Sequence, residues 1–146
     1  MLVEILISAN QTTPKIIIET DKITDEVTEI IRKLSDEAPN MIVGAAGDTH
    51  HIIDLTQLIR VYSAESKVFA VTDQGEYVLR QRLYELEERL DKSVFVRISN
   101  SEIVNLKKVK SFDLSLAGTI CVKMSNGSVT YVSRRFVSKI KKVLGL

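Results

Sequence analysis

Few side chains in this sequence have both the type and the spacing to do chemistry. His50 and His51 are the only histidines, and they are adjacent. Neighbours on a strand point to opposite faces, so two such rings are poorly placed to share one ion. One ring packed inward and one solvated is the simpler reading. Asp48 and a serine could complete a triad with either ring, but no G-x-S-x-G elbow presents a nucleophile. Cys121 lies between Ile120 and Val122, where a thiol reads as a small apolar group inside a sheet. The glycines form neither G-x-G-x-x-G nor G-x-x-x-x-G-K, so no phosphate loop is present. Catalysis has no support in these residues, and no cofactor or metal is implied.

The basic side chains say more. From Val94 onward there are ten Lys or Arg and two acids, a net +8, whereas residues 1–93 carry a net −7. The overall charge of +1 conceals this division. A basic end suits a polyanion. Near the C-terminus, Arg135, Lys139 and Lys142 stand at i, i+4 and i+7 on an expected helix from Arg134 to Leu144. Phe136, Ile140, Val143 and Leu144 form its inward stripe. Late lysines complement the negative helix end without any ligand. Arg134 and Arg135 crowd the first turn, behind an N-cap at Ser133, where the dipole disfavours them. Two arginines there suit a phosphate or a base edge. Asn100, in Arg97-Ile98-Ser99-Asn100-Ser101, has the donor and acceptor to read adenine, though chemistry alone reads it as a turn former. Ser63–Lys67 reads as a polar surface loop.

The elements that must hold these groups are mostly short strands. Runs at Val3–Ile7 and Lys15–Glu19 look like strands around the loop Asn10–Pro14. Thr24 caps an amphipathic helix whose stripe is Val27, Ile30, Ile31 and Leu34. Ala38-Pro39-Asn40 marks a boundary between an extension, 1–40, and a domain, 41–146. Within the domain, strands are expected at Met41–Ala45, His50–Ile53, Leu58–Tyr62, Lys67–Thr72, Glu76–Leu79 and Val94–Ile98. Leu83, Leu86 and Leu90 give a short helix its apolar side. Ser101 is expected to cap a helical turn over Glu102–Asn105. Val109–Leu114, Thr119–Met124 and Ser128–Val132 form a meander, with Asn126-Gly127 a strong hairpin signal. The class is mainly β and antiparallel. No run approaches the roughly 20 apolar residues of a membrane span, Met1–Ile7 lacks the basic flank of a signal peptide, and one cysteine excludes an internal disulfide. Together these place the chain in the cytoplasm.

Residues 42–144 resemble the LytTR DNA-binding domain of bacterial regulators. Phe95-Val96-Arg97-Ile98-Ser99-Asn100-Ser101-Glu102-Ile103-Val104-Asn105-Leu106 is similar to that family's central signature. Tyr131-Val132-Ser133-Arg134-Arg135-Phe136-Val137 resembles its ending. The resemblance implies three antiparallel sheets in an elongated β sandwich with short helices and a C-terminal helix, here behind an N-terminal β-β-α extension. It implies binding to promoter direct repeats in double-stranded DNA, with loops entering successive major grooves. By position, base contacts fall on the loop with Ser66 and Lys67, on Asn100 and on Arg135, with Arg97 in the same signature. Charge adds Arg134, Lys107, Lys108 and Lys139 as phosphate contacts. Glu65 departs from relatives with a histidine in the first loop and would repel phosphate. The stretch before Ile42 is too short for a phospho-receiver domain, which suggests a free-standing regulator. Its extension reads as a helix packed on its own sheet, a homodimer contact, or a contact for a small membrane-protein inhibitor. A protein- or RNA-binding module using the same basic face is the alternative function.

Overall fold

The computed structural model describes residues 1–37 and 40–146. The boundary expected at Ala38-Pro39 lies outside the described residues. The strands expected at Val3–Ile7 and Lys15–Glu19 do not form. A strand needs a neighbour to pair its backbone, and among the described residues no other strand lies beside them. Helix α1, Asp25–Glu37, forms as expected. Thr24 Oγ1 accepts from the Val27 N–H at 3.3 Å. Val27 is buried, while Ile30, Ile31 and Leu34 are half-buried, and α1 lies against the first strand of the domain.

Ten strands follow. They are β1 (Met41–Ala46), β2 (Thr49–Asp54), β3 (Arg60–Ala64), β4 (Lys67–Thr72), β5 (Gly75–Leu79), β6 (Phe95–Ser99), β7 (Glu102–Asn105), β8 (Val109–Asp113), β9 (Ile120–Met124) and β10 (Val129–Val132). Helices α2 (Leu83–Arg89) and α3 (Val137–Val143) complete the set. The strands pair antiparallel in the order β2-β1-β5-β4-β3-β7-β6, with a second sheet β10-β9-β8. The three implied sheets are present as three groups of strands. Two of them fuse, because the β1–β2 hairpin joins β5 at one position, Ala45 opposite Val78.

Gly44 permits that join. A Cβ there would lie 2.5 Å from Tyr77 Cβ and 2.8 Å from Ile53 Cδ1. Gly44→Ala must push the hairpin off β5, at a cost of about 1–3 kcal/mol. Urea unfolding of the variant measures this; an unchanged midpoint would show that the hairpin contributes nothing to the cooperative unit.

Two apolar clusters flank the large sheet. Val61, Ala70, Ile103 and Leu79 meet Leu83, Leu86 and Leu90 around α2 on one side. Ile59, Val96, Ile98 and Val104 meet Ile120, Val122 and Met124 of the small sheet and Ile140 of α3 on the other. Ile103 pairs with Val61 and Val104 with Val96. A one-residue slip of β7 would exchange the clusters, so burial on both faces fixes its register. For the same reason Glu102–Asn105 is a strand, not the helical turn expected behind Ser101. Burial of all four side chains on the two faces of the sheet outweighs the local capping preference of serine. The helical turn comes next, at Leu106–Lys108, where Asn105 Oδ1 accepts from the Lys107 N–H at 2.9 Å.

The C-terminal helix also begins later than expected. Arg134–Phe136 is a 3-10 turn, and α3 starts at Val137. Ser133 has the extended backbone of a cap, but its side chain makes no capping bond. The dipole cost assigned to Arg134 and Arg135 therefore shrinks, since they precede the α-helix. Both histidines of β2 are exposed, correcting the expectation that one packs inward. β2 is an edge strand paired on one side with β1, and it meets the core at Ile53, nearer its end, which leaves His50 and His51 toward its open start. The His51 ring instead tilts against Tyr77, centroids 5.0 Å apart. Cys121 is half-buried in β9.

Candidate nucleic-acid interface

Three chain reversals meet at one edge of the molecule. The first joins β3 to β4, where Ala64 pairs with Lys67 and only Glu65 and Ser66 turn the chain. Both have left-handed backbones, φ 51° and 64°, as a two-residue hairpin requires. The sequence offered no Asn-Gly there, so the hairpin was legible only as a polar loop. Neither residue has the freedom of glycine at positive φ, so the turn holds mild strain.

The second reversal is Ser99–Ser101, between β6 and β7. The Ser63 N–H donates to the Ser101 carbonyl at 2.8 Å, tying this loop to the end of β3. A register shift between Arg97 and Ser99 bends β6 here. Arg97 wraps the loop. Its Nε donates to the Ser99 carbonyl at 2.8 Å and one terminal nitrogen to the Asn100 carbonyl at 2.6 Å. The other terminal nitrogen pairs with Glu87 of α2 at 2.5 Å. The guanidinium is thus committed within the protein, and Arg97 acts as a brace for Asn100.

The third reversal leads from β10 into α3. The Ser133 N–H donates to the Ile98 carbonyl at 2.9 Å, which fastens the turn beside the second loop. Arg135 then reaches across, one terminal nitrogen donating to Asn100 Oδ1 at 3.3 Å. Its guanidinium also lies 5.5 Å from the Phe136 ring centre. Asn100, Arg135, Ser66 and Lys67 are all exposed.

The other basic residues are dispersed. Lys139 is exposed on α3, four residues past Arg135. Arg134 lies over the turn at Gly118, where an added Cβ would meet its Nε at 3.6 Å. Lys107 and Lys108 follow the far end of β7 and do not join the three loops. Lys107 faces Asp91, whose carboxyl sits below its ordinary pKa because Ser93 donates to it and, to a lesser extent, because Lys107 is near.

A buried polar group beneath the loops escaped the sequence reading. Glu102, the first residue of β7, is 8 % exposed. Its Oε1 accepts from Thr130 Oγ1 of β10 at 2.9 Å and lies 3.3 Å from an Arg60 nitrogen of β3. The strands bearing all three reversals therefore converge on one carboxylate. Arg60 in turn stacks over Tyr62, 4.7 Å from the ring centre. Alternation within a strand would have turned Glu102 toward Thr130, had 102–105 been read as a strand.

Residues 48–145 match the sequence profile of the LytTr DNA-binding domain. The chain belongs to the LytTR DNA-binding domain family. It is 35% identical over 147 aligned positions to an uncharacterised HTH-type transcriptional regulator of Staphylococcus aureus strain MRSA252, covering 100% of this chain and 99% of that protein. A counterpart in strain NCTC 8325 is 34% identical with the same coverage. The LytTr domain of a DNA response regulator from Bacillus cereus superposes with a TM-score of 0.71, at 22% identity, covering 73% of this chain and 98% of that one. That last likeness is one of fold: a mainly β LytTR domain of antiparallel sheets and short helices. The relatives' names mention a helix-turn-helix, but among the described residues α1, α2 and α3 are each separated by strands. The described helices include none long and apolar enough to cross a membrane.

Proposed function

We propose that this LytTR protein is a sequence-specific transcription regulator that reads promoter direct repeats, one repeat per copy, by inserting the loops around Ser66, Asn100 and Arg135 into the major groove. The observation that carries the proposal is the Asn100–Arg135 pair at the junction of the three reversals. An asparagine amide matches the N6 and N7 edge of adenine, and an arginine fork matches O6 and N7 of guanine. Their mutual hydrogen bond is long and exposed, so exchanging it for base edges costs little. Arg97 holds Asn100 in place from behind. Ser66 and Lys67 flank the pair, with Glu65 setting a negative charge that disfavours nearby phosphate. Lys139 and Arg134 are the phosphate contacts beside the loops. Lys107 and Lys108, farther off, are assigned to phosphates of flanking duplex.

This role is non-enzymatic and cytoplasmic. The hollow beside His51 holds only about 90 Å3, well below the few hundred Å3 of a typical small-molecule site. A larger hollow, about 540 Å3, runs along the Ser63–Lys67 hairpin beside Arg82, Tyr84 and Arg97 and belongs to the reading edge itself. Single-stranded RNA is read by stacking successive bases on aromatic rings. Residues 63–67, 99–101 and 133–135 contain none, Phe136 is half-buried beside Arg135, and the exposed Tyr84 near the first loop does not make a row of rings.

Fluorescence anisotropy with duplexes from the protein's own upstream region tests the proposal. One duplex is preferred over scrambled DNA, and affinity falls with salt at a log–log slope of about −4 to −8 for several phosphate contacts. Lys139→Ala and Arg134→Ala each reduce that slope by about 1 while keeping the preference. Weak binding that is equal for every duplex overturns the proposal.

A further inference from the structure

Residues 1–23 take no part in the DNA-reading edge, yet they carry nine large apolar side chains exposed to solvent, including Val3, Ile5, Ile7, Ile16 and Ile17. Ile5 is 85% and Ile7 96% exposed. The runs 3–7 and 15–19 have strand composition and bracket a loop containing Pro14. The loop bends back on itself, with the Gln11 N–H donating to the Ser8 carbonyl at 3.1 Å. No strand of either sheet pairs with these runs. Unpaired apolar strands are templates for another chain. A lone two-strand hairpin is marginal in water, and three or more strands with an apolar face are needed.

We propose that residues 1–23 form a dimerisation arm, whose two runs pair with the same runs of a second copy in a four-stranded antiparallel sheet. Self-pairing meets the strand requirement with no other protein, and a two-fold axis lets each run serve as both partner and template. The area also fits. Burying an aliphatic side chain removes roughly 60–120 Å2 of apolar surface. Side chains alternate between the faces of a strand, and a two-fold axis gathers the Val3, Ile5 and Ile7 sets of both copies on one face. About half of the nine, roughly 250–550 Å2 per copy, lie there. With the backbone pairing, this suits a dimer forming in the micromolar range rather than an obligate one of about 800 Å2 per partner. Charge narrows the occupants further. The arm itself, residues 1–23, holds three acids and two bases, a net −1, so two copies meet little repulsion and the arm has no basic cluster to draw it to DNA or to an anionic lipid surface. Helix α1, seated through Val27, ties the arm to the domain. The S. aureus relatives align along the entire chain, arm included. The dimer stands whether or not the domain reads DNA; if it does, the tether raises the effective concentration of the second domain at a neighbouring repeat.

The test is sedimentation velocity of the full chain from low to high micromolar, with amide hydrogen exchange on the same samples. A dimer is expected, with amides of 3–7 and 15–19 protected. Ile5→Asp and Ile17→Asp, both at exposed positions, are expected to give monomers that lose this protection. Protection of β3, β4 and β7 stays intact in those variants. A wild-type chain monomeric throughout, or a dimer that survives both substitutions, overturns the arm. So does a monomer whose arm becomes protected only on vesicles or a membrane-protein extract. A dimer that shows no preference among duplexes leaves the arm in place and removes only the DNA reading.

Discussion

Asn100→Ala and Arg135→Ala are each expected to lower affinity for the preferred duplex by about 10–100-fold and leave affinity for scrambled DNA nearly unchanged. A bidentate side chain–base pairing discriminates by about 1–3 kcal/mol, and about 1.4 kcal/mol is tenfold. Background binding comes from phosphate neutralisation and depends on other residues. Arg135→Ala removes a charge as well, so it also lowers the salt slope slightly, whereas Asn100→Ala does not. The two side chains touch in the free protein, so the double variant should fall short of the summed effect. Anisotropy titrations of the three variants against both duplexes provide the comparison. Equal losses on both duplexes would move these residues from base reading to backbone contact.

Glu102→Leu is expected to destabilise the domain by about 2–4 kcal/mol, the largest stability effect anticipated for a single polar side chain here. Removing one member of a buried ion pair strands the other charge, at about 3–5 kcal/mol for full burial. Arg60 keeps 24% of its side chain exposed, which places the estimate toward the lower part of that range. The Thr130 hydroxyl also loses its acceptor. Glu102→Gln retains an oxygen for Thr130 and should lose less. Urea unfolding compares the two; a Leu variant as stable as wild type would mean that burial of leucine fully offsets the lost pair. The same substitution loosens strands β3, β7 and β10 together, so sequence preference should decline along with stability. Any smaller effect of Thr130→Val on preference reports the β10 arm of the network alone.

The ordinary strands and turns were legible because their signals are local. Lys67–Thr72 and the Asn126-Gly127 turn need only alternation and turn chemistry, and both appear where expected. Thr24 caps α1 as its type suggests. The misses share a physical cause, which is dependence on distant partners. Runs 3–7 and 15–19 look like strands but have no neighbouring strand among the described residues. Glu102–Asn105 looked helical because Ser101 is a good cap, while the two clusters that make it a strand are assembled from residues far away in sequence.

The site divides in the same way. Arg135 was already a candidate phosphate or base-edge contact from its place at the start of the C-terminal segment, whereas Asn100 became a candidate only through the LytTR resemblance, since chemistry alone left it as a turn former. Their contact spans 35 residues, and no local pattern reveals it. Arg97 resembled a signature arginine, but its commitment to Glu87 and the loop carbonyls depends on where α2 packs. Arg60 and Glu102 meet only once the β3–β7 register is set. Lys107 and Lys108 were grouped with the others by charge, and charge carries no information about which end of a strand a residue occupies.

The most direct test of the central claim is a backbone amide NMR titration of the protein with its preferred duplex, followed residue by residue. Residues 64–67, 99–101 and 133–136 are expected to shift together, saturating at one copy per repeat, with small changes in α1 and β2. Scrambled duplex should shift the lysine-bearing surface far more than the amides around Asn100. Shifts that leave Asn100 and Arg135 unmoved while another face responds would contradict a reading edge built from these three loops.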